Sequence, residues 1–504
     1  MYTMNLFHIL ISLVASVSAH SGHGGDSLNF TALATQLSPN ASIVFPEDPL
    51  FDLVQQRWQA YSRPTYSLIV QAATEQDVKT TVVFANKHSL PFLAVGGAHG
   101  ATSSLGQLQG GIAISLANLK GISLSATGDY ADMQPGLTNG ELIRYLWPRG
   151  KQTVTGNCMC TGVTGIMLGG GHGFLQGLYG LMTDQILEAR VVLSNGRQVV
   201  ASPKSNPDLF WAIRGAGHNF GIVTGLKYKV YDAIPQWTIA TIILTQDKLE
   251  QVFEVANTLI PVENHPPQLV FTYRLIRLPF IDPNNASILI YVIYGGPSAE
   301  LASHLAPFLA LGPANVTTLA DIAYPDVFNG RGDESSPNTC AKGWYRTVAG
   351  NYLKRFNTTA IRQVHAVFTN ITTKYPDIAG RSIYVFEEYG YQGVTAVPSD
   401  STAFPSRAYP ILGAPFWGYI DASYSSDLIR ASKEIRKILL AGDGATKLHS
   451  YVNYASGDET ASENYGGDDP WRLNKLKDLK QRYDSKGRFS FYAPIDVGRG
   501  HQRG

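Results

Sequence analysis

The sequence predicts an α+β fold of two lobes, on three observations. A strand–helix–strand rhythm begins after residue 61, and near Ile234 the texture changes to apolar runs mixed with helices. After residue 448 the chain returns to the character of the first lobe. At 504 residues it is long enough for two or three large cores.

The elements follow in order. Phe7 to Ala15 is a short apolar run before Val17-Ser18-Ala19, which reads as a secretory signal over residues 1–19. The run falls short of the ~20 residues a membrane span needs. Residues 20–26 form a loose polar tail, and His20 and His23 read as part of it rather than as a metal pair. Ser67 to Val70 is strand-like, Thr74-Glu75-Gln76-Asp77 is a helix-starting cap, Val78 to His88 carries the helix, and Pro91 to Val95 is a second strand. This unit delivers His99 at the carboxyl end of a strand, where such folds bind ligands.

Gly111 to Leu116 is strand-like, and Thr138-Asn139-Gly140-Glu141 starts a helix ending near Pro148. Residues 186–202 are a hairpin around Asn195-Gly196, and Pro207 to Arg214 is a short helix. Beyond Ile234, residues 289–294 read as an alternating strand, 409–414 as another strand and 428–440 as a helix. The boundaries are 62–233, 234–448 and 449–504.

Composition excludes several classes. A net charge of +1 with 16% charged residues argues against nucleic acid, and no stretch after the leader spans a membrane. Three cysteines exclude a disulfide-stapled scaffold. Cys158 and Cys160 are too close for a comfortable pair, Cys160 with Cys340 is left open, and Cys340 alone reads as an inert apolar filler. Six Asn-x-Ser/Thr sequons, at Asn29, Asn40, Asn285, Asn315, Asn357 and Asn370, fit export and glycosylation when taken with the leader.

Two glycine clusters carry the chemistry. The first is Val95-Gly96-Gly97-Ala98-His99-Gly100, and the second runs from Gly156-Asn157-Cys158-Met159-Cys160-Thr161-Gly162 through Gly169-Gly170-Gly171-His172-Gly173. Glycines let backbone amides approach a pyrophosphate closely, and each cluster holds one reactive side chain. The pattern suggests a dinucleotide held by both ends. No Gly-Lys-Ser/Thr ending makes a P-loop, and Gly215 to Gly221 follows a helix-like segment, which rules out a nicotinamide-type Rossmann loop. No Gly-x-Ser-x-Gly elbow is present, and neither His172 nor His218 has a metal-ligand partner at suitable spacing, so both read as hydrogen-bonding groups near a cofactor.

These motifs resemble the secreted fungal berberine bridge enzyme-like group of vanillyl-alcohol-oxidase-type (PCMH-type) flavoproteins, from about Tyr61 to the C-terminus and most densely over residues 91–225. The resemblance implies a two-lobed FAD-binding domain, an antiparallel-sheet substrate domain, and a C-terminal segment returning to the first. It implies FAD bound covalently through both His99 and Cys158, with Cys160 as the rival sulfur. It also implies cofactor contacts from Gly96, Gly97, Ala98, Gly100, Thr102, Ser103, Gly156, Thr161, Gly162, Gly165, Gly169, Gly170, Gly171, His172, Gly173, Tyr179, Gly180, Asp184, Gly221, Ile222 and Val223. Ala98 stands where a second glycine is usual, and Ile166 where plant members carry a histidine. Tyr451-Val452-Asn453-Tyr454, Tyr465-Gly466 and the stretch from Arg472 to Phe489 match the family's C-terminal signature.

A flavin oxidoreductase needs a proton acceptor while a hydride leaves its substrate. By position in that signature the acceptor is Tyr454, with Asn453 beside it. An unperturbed tyrosine has a pKa near ~10 and would need a cation to serve. Glu387 and Glu388 are the alternative acids, though each alone reads as a surface charge, and Tyr384 and Tyr389 are candidates to line the substrate cleft. The expected protein is a secreted, monomeric oxidase of a small-molecule alcohol or sugar hemiacetal, with O2 as acceptor although Thr161 marks neither oxidase nor dehydrogenase. The alternatives are a tailoring oxidase or dehydrogenase for secondary metabolites, performing for example an oxidative cyclisation, and a non-catalytic flavin-binding glycoprotein.

Overall fold

Reciprocal capping fixes where the first long helix begins. The Thr74 side chain accepts from the Asp77 amide while the Asp77 carboxylate accepts from the Thr74 amide, and the helix runs Glu75–Lys87. The computed structural model describes residues 30–261, 264–331 and 337–496. The leader, His20, His23 and the Asn29 sequon lie outside the described residues.

Val78, Val82 and Ala85 of that helix pack on a four-stranded sheet. Its strands are β1 (Ser42–Val44), β2 (Tyr66–Gln71), β3 (Phe92–Val95) and β4 (Gly111–Ser115), in the order β1-β2-β4-β3. β2 and β3 both lie parallel to β4, so the helix is the crossover that parallel pairing demands. β1 pairs antiparallel with β2, so this lobe begins before residue 62.

A second, antiparallel sheet has the order β5-β6-β10-β8-β9, formed by β5 (Ile122–Leu124), β6 (Tyr130–Met133), β8 (Ile186–Val192), β9 (Gln198–Ala201) and β10 (Ile222–Lys229). The β8–β9 hairpin turns at Asn195-Gly196, with Gly196 at φ 83°, a conformation glycine adopts without steric cost. A short ribbon, β7 (Lys151–Gln152) with β11 (Tyr231–Asp232), closes the lobe.

The third sheet has the order β15-β12-β14-β13-β18-β19-β16, with β17 also on β19, all antiparallel. Its strands are β12 (Trp237–Leu244), β13 (Leu269–Ile276), β14 (Ser287–Tyr294), β15 (Asn315–Ile322), β16 (Tyr345–Val348), β17 (Asn351–Leu353), β18 (Ile383–Tyr389) and β19 (Ile411–Tyr419). One face packs on the helices Leu249–Leu259, Ser298–Leu309, Thr358–Lys374 and Ser425–Gly442 through residues such as Phe271, Tyr273, Phe386 and Trp417. The other face turns to the first lobe. β14 is buried along its whole length, which explains why its sequence is continuously apolar rather than alternating.

The C-terminal helix Pro470–Tyr483 returns to the first lobe. Lys480, fully buried, donates to the Asn219 carbonyl (2.8 Å), the Phe489 carbonyl (2.7 Å) and Asp484 (2.8 Å). A cation so deep in a core is tolerated because all three of its protons have acceptors.

Candidate active site

A cavity of about 500 Å³ lies between the first lobe and the open face of the third sheet. The two glycine loops form one wall and meet along a seam. A Cβ on Gly97 would stand 2.5 Å from the Gly162 amide nitrogen, and one on Gly162 would stand 2.8 Å from that of Gly97. The reactive side chains therefore sit at the same end of the cavity. This corrects the expectation of two separate ends, because backbone contact leaves the loops no room to part.

Ala98 sits at φ 58°, a left-handed conformation that costs a side chain about 1 kcal/mol. Its carbonyl accepts from the Trp58 amide at 2.9 Å, and the Trp58 ring stacks on His99 with centroids 5.5 Å apart. Burial lowers the His99 pKa to about 3, helped by the positive charges of Lys342, Arg346 and Arg57. The imidazole is neutral at physiological pH, with Nδ1 3.5 Å from the Thr161 hydroxyl.

Buried Asn139 shapes the second loop, donating to the Cys158 carbonyl (2.8 Å) and accepting from the Gly156 amide (3.2 Å). Cys160 is bonded to Cys340. Cys340 is thus no inert filler, and Cys160 is removed as a rival sulfur. Cys158 keeps its thiol, 3.4 Å from the Cys160 sulfur.

The facing wall holds the acid. In β18, Ile383, Val385, Glu387 and Tyr389 line the cavity, while Tyr384 and Phe386 point into the helix-backed core. Glu388 also points away, accepting from Tyr273 at 2.9 Å with His265 3.5 Å distant. Both acids are buried, at 5% and 0% exposure, so neither is a surface charge. Burial raises the Glu387 carboxyl above its ordinary range, against the opposing pull of Arg331 and Arg274. The Tyr454 hydroxyl donates to Glu387 at 3.3 Å. Burial and the Glu387 charge push the Tyr454 phenol well above 10. Tyr454 therefore keeps its proton, which corrects its assignment as the acceptor: its charged neighbour is an anion, the opposite of what a phenolate needs.

Asn453 donates to the Ile166 carbonyl and the Tyr451 hydroxyl, both at 2.8 Å, and all three residues line the cavity. His172 is held by Gln176 (2.8 Å) and Tyr352 (2.7 Å), and burial lowers its pKa to about 4. His218 stacks on Tyr492 and is lowered by burial to about 4 as well.

Of the other expected contacts, Gly96, Gly97, Ala98, His99, Gly100, Gly156, Cys158, Thr161, Gly162, Gly165, His172, Gly221, Ile222 and Val223 line the cavity. Gly169 packs on the Asn453 side chain, Gly170 on Phe404, Gly171 on Met182 and Gly173 on the Thr155 carbonyl. These four are packing glycines behind the wall. Thr102 caps the short turn Ser103–Gln107, and the Ser103 amide donates to the Ser456 carbonyl, so both serve the loop's support. Tyr179 stacks on Tyr231, the space beside Gly180 is filled by Asp184, and Asp184 pairs with buried Arg407 at 2.6 Å. None of these three reaches the cavity. Tyr384 also points away from it, because it alternates with its lining neighbours.

Sequence reasoning missed Trp58, Asn139, Arg274, Arg331 and Arg346. Only Asn139 carried a local signal, in the cap of its helix. Among the described sequons, Asn40, Asn315, Asn357 and Asn370 are exposed and Asn285 half-buried.

The lining suits FAD. Asn157 Oδ1, Thr164 Oγ1 and His218 Nδ1 are buried cavity atoms with no hydrogen-bond partner among the described residues, a state that proteins leave to be satisfied by a ligand or water. The side-chain-free seam, the neutral imidazole of His99 and the thiol of Cys158 complete the fit.

Comparison with known proteins points the same way. The FAD binding domain family matches residues 66–202. The FAD-linked oxidoreductase chyH of Penicillium rubens is 36% identical over 472 residues, spanning 93% of each chain. BBE-like 1 of Physcomitrella patens superposes with a TM-score of 0.80 at 23% identity, covering 93% of this chain and 99% of its own. A glucooligosaccharide oxidase from Acremonium strictum, described with a 6-S-cysteinyl, 8α-N1-histidyl FAD, superposes with a TM-score of 0.77 at 18% identity, covering 93% and 98%.

Proposed function

The chain belongs to the FAD-linked oxidoreductases and shares the fold of the BBE-like 1 protein, and from that premise we propose that it is a secreted oxidase of the berberine bridge enzyme-like kind. In this reading it carries FAD on both His99 and Cys158, oxidises the carbinol carbon of a small alcohol or sugar hemiacetal, and uses O2 as the final acceptor. Bound FAD supplies the hydride acceptor and the path for two electrons to O2. Everything else falls to the chain's own groups.

Glu387 takes the substrate's hydroxyl proton, directly or through the Tyr454 hydroxyl that bridges to it. Tyr454 orients that hydroxyl, and Asn453 fixes Tyr451 and the Ile166 carbonyl beside it. The ring cluster of Tyr389, Tyr451 and His172 keeps the wall dry, which strengthens each polar interaction inside. The observation that carries the reading is the placement of a neutral imidazole, a thiol and a buried carboxylate–tyrosine pair around one cavity.

Acid-precipitated protein should stay yellow, and mass spectrometry should find one flavin joined to both the His99 and the Cys158 peptide. A panel of alcohols and oligosaccharides read for H2O2 release should give at least one substrate. Flavin lost wholly to the supernatant would end the covalent claim. Substrate-driven flavin reduction without H2O2 would make the protein a dehydrogenase. Protein from a eukaryotic secretion host should start near His20 and lose mass on glycosidase treatment, whereas retention of Met1 to Ala19 without glycans would end the claim of export.

A further inference from the structure

Arg346, on β16, belongs to the substrate lobe yet lines the same cavity as His99 and Cys158. Its guanidinium lies 4.3 Å above the Trp58 ring and donates to the Trp58 carbonyl. The Trp58 indole N–H is taken by the Thr339 carbonyl at 2.8 Å, and its face stacks on His99. The same stretch carries Cys340, whose bond to Cys160 fixes the second loop beside the Cys158 thiol. Arg346 is 3% exposed and lines the cavity with His99 and Cys158.

We propose that Arg346 is a positioning residue for covalent flavin attachment: through Trp58 it orients His99, and its buried charge favours the thiolate of Cys158. The proposal rests on the reading of Cys158 as a flavin link. A thiolate, not a thiol, is the nucleophile, and a neighbouring guanidinium raises its share. Burial pulls Arg346 down to about 10 and the Cys158 sulfur pulls it back, so the two groups feel each other. The other charged or titratable groups here are Arg57 and Lys342, whose charges act on neutral His99, Arg331, which reaches the Asn157 carbonyl, Glu387 and Tyr389 on β18, and the cavity-lining Arg274 and Arg381. Glu387 is the only acid lining the cavity among the described residues, so the local field is positive.

In the bond-forming step the thiolate sulfur joins a carbon of the flavin ring. That carbon's hydrogen leaves as a proton to water, and the two electrons released pass through the flavin to O2, giving H2O2. Arg346 acts before this step, on the thiolate it starts from, and is not consumed.

The test compares wild type, Arg346→Lys and Arg346→Met, each made as the full chain without riboflavin and then given FAD at pH 7 and pH 9. Attachment is read by mass spectrometry of the Cys158 peptide. At pH 7, Arg346→Met should attach at Cys158 at least tenfold more slowly and recover most of that deficit at pH 9, where bulk base makes the thiolate. Arg346→Lys should stay within about threefold of wild type, because the charge remains. Equal attachment rates for wild type and Arg346→Met would overturn the proposal. So would a deficit as large at pH 9 as at pH 7, which would mark a purely structural role. If wild type itself never forms the Cys158 bond, the two-link reading fails separately. Iodoacetamide alkylation of Cys158 at pH 7 then decides: a tenfold slowing in Arg346→Met supports the charge effect, and an unchanged rate overturns it.

Discussion

Replacing Glu387 by Gln removes the proposed proton acceptor while keeping the shape of the wall. Glu387 and Tyr454 are the two groups of the pair that can lose a proton, 3.3 Å apart. With its phenol above 10, Tyr454 is ionised in fewer than ~1 in 1000 molecules at pH 7. It cannot replace the carboxylate, and loss of a general base typically costs ~10²- to 10⁴-fold, or about 3 to 5 kcal/mol of barrier. Anaerobic stopped-flow reduction of the flavin should slow by that factor in Glu387→Gln, with the flavin still attached. The pH profile gives a second reading. Burial raises the Glu387 pKa, and the working form is the carboxylate, so wild-type reduction should rise with pH through that raised pKa and fall off on the acid side. Glu387→Gln should lose this acid limb. A Glu387→Gln enzyme that reduces within threefold of wild type and keeps the limb would refute the assignment.

Four further outcomes follow from the geometry. Tyr454→Phe should keep its flavin and slow reduction less than Glu387→Gln does, which stopped-flow on both will rank. Cys340→Ser opens a link spanning 180 residues, and chain-entropy reasoning puts its worth at about 5 kcal/mol, read as a fall in denaturant midpoint; a loss below about 1 kcal/mol would contradict this. Asp184→Asn leaves the buried Arg407 charge uncompensated and should cost about 3 to 5 kcal/mol in thermal or denaturant unfolding, yet leave the flavin spectrum unchanged because the pair lies off the cavity. Ala98→Gly relieves a left-handed backbone and should stabilise by about 1 kcal/mol in the same assay.

Local signals made much of the fold legible. The Thr74 cap, the Asn195-Gly196 turn and the run into His99 each act within a few residues, and each element formed where its signal stood. The glycine loops and the C-terminal signature likewise brought His99, Cys158, Asn453 and Tyr454 to one cavity. What stayed hidden depends on partners distant in sequence. Tyr384-Val385-Phe386-Glu387-Glu388 lies in a strand buried on both faces, so no polar alternation tells which acid turns inward. The sulfur pairing depends on a residue 180 positions away, and the environment of Tyr454 on a carboxylate 67 positions back. Gly169, Gly170, Gly171 and Gly173 looked like ligand contacts because glycine also marks where side chains or backbone from elsewhere press on the chain.

The seam between Gly97 and Gly162 constrains how such a protein can change over generations. Each reactive side chain stands beside the seam rather than in it, so His99 or Cys158 could be exchanged singly without disturbing the contact between the loops. A side chain at either glycine would instead meet the opposite backbone, which has no rotamer to yield. Drift can therefore replace the imidazole and the thiol one at a time, in either order, but the seam between the two loops can be inherited only whole.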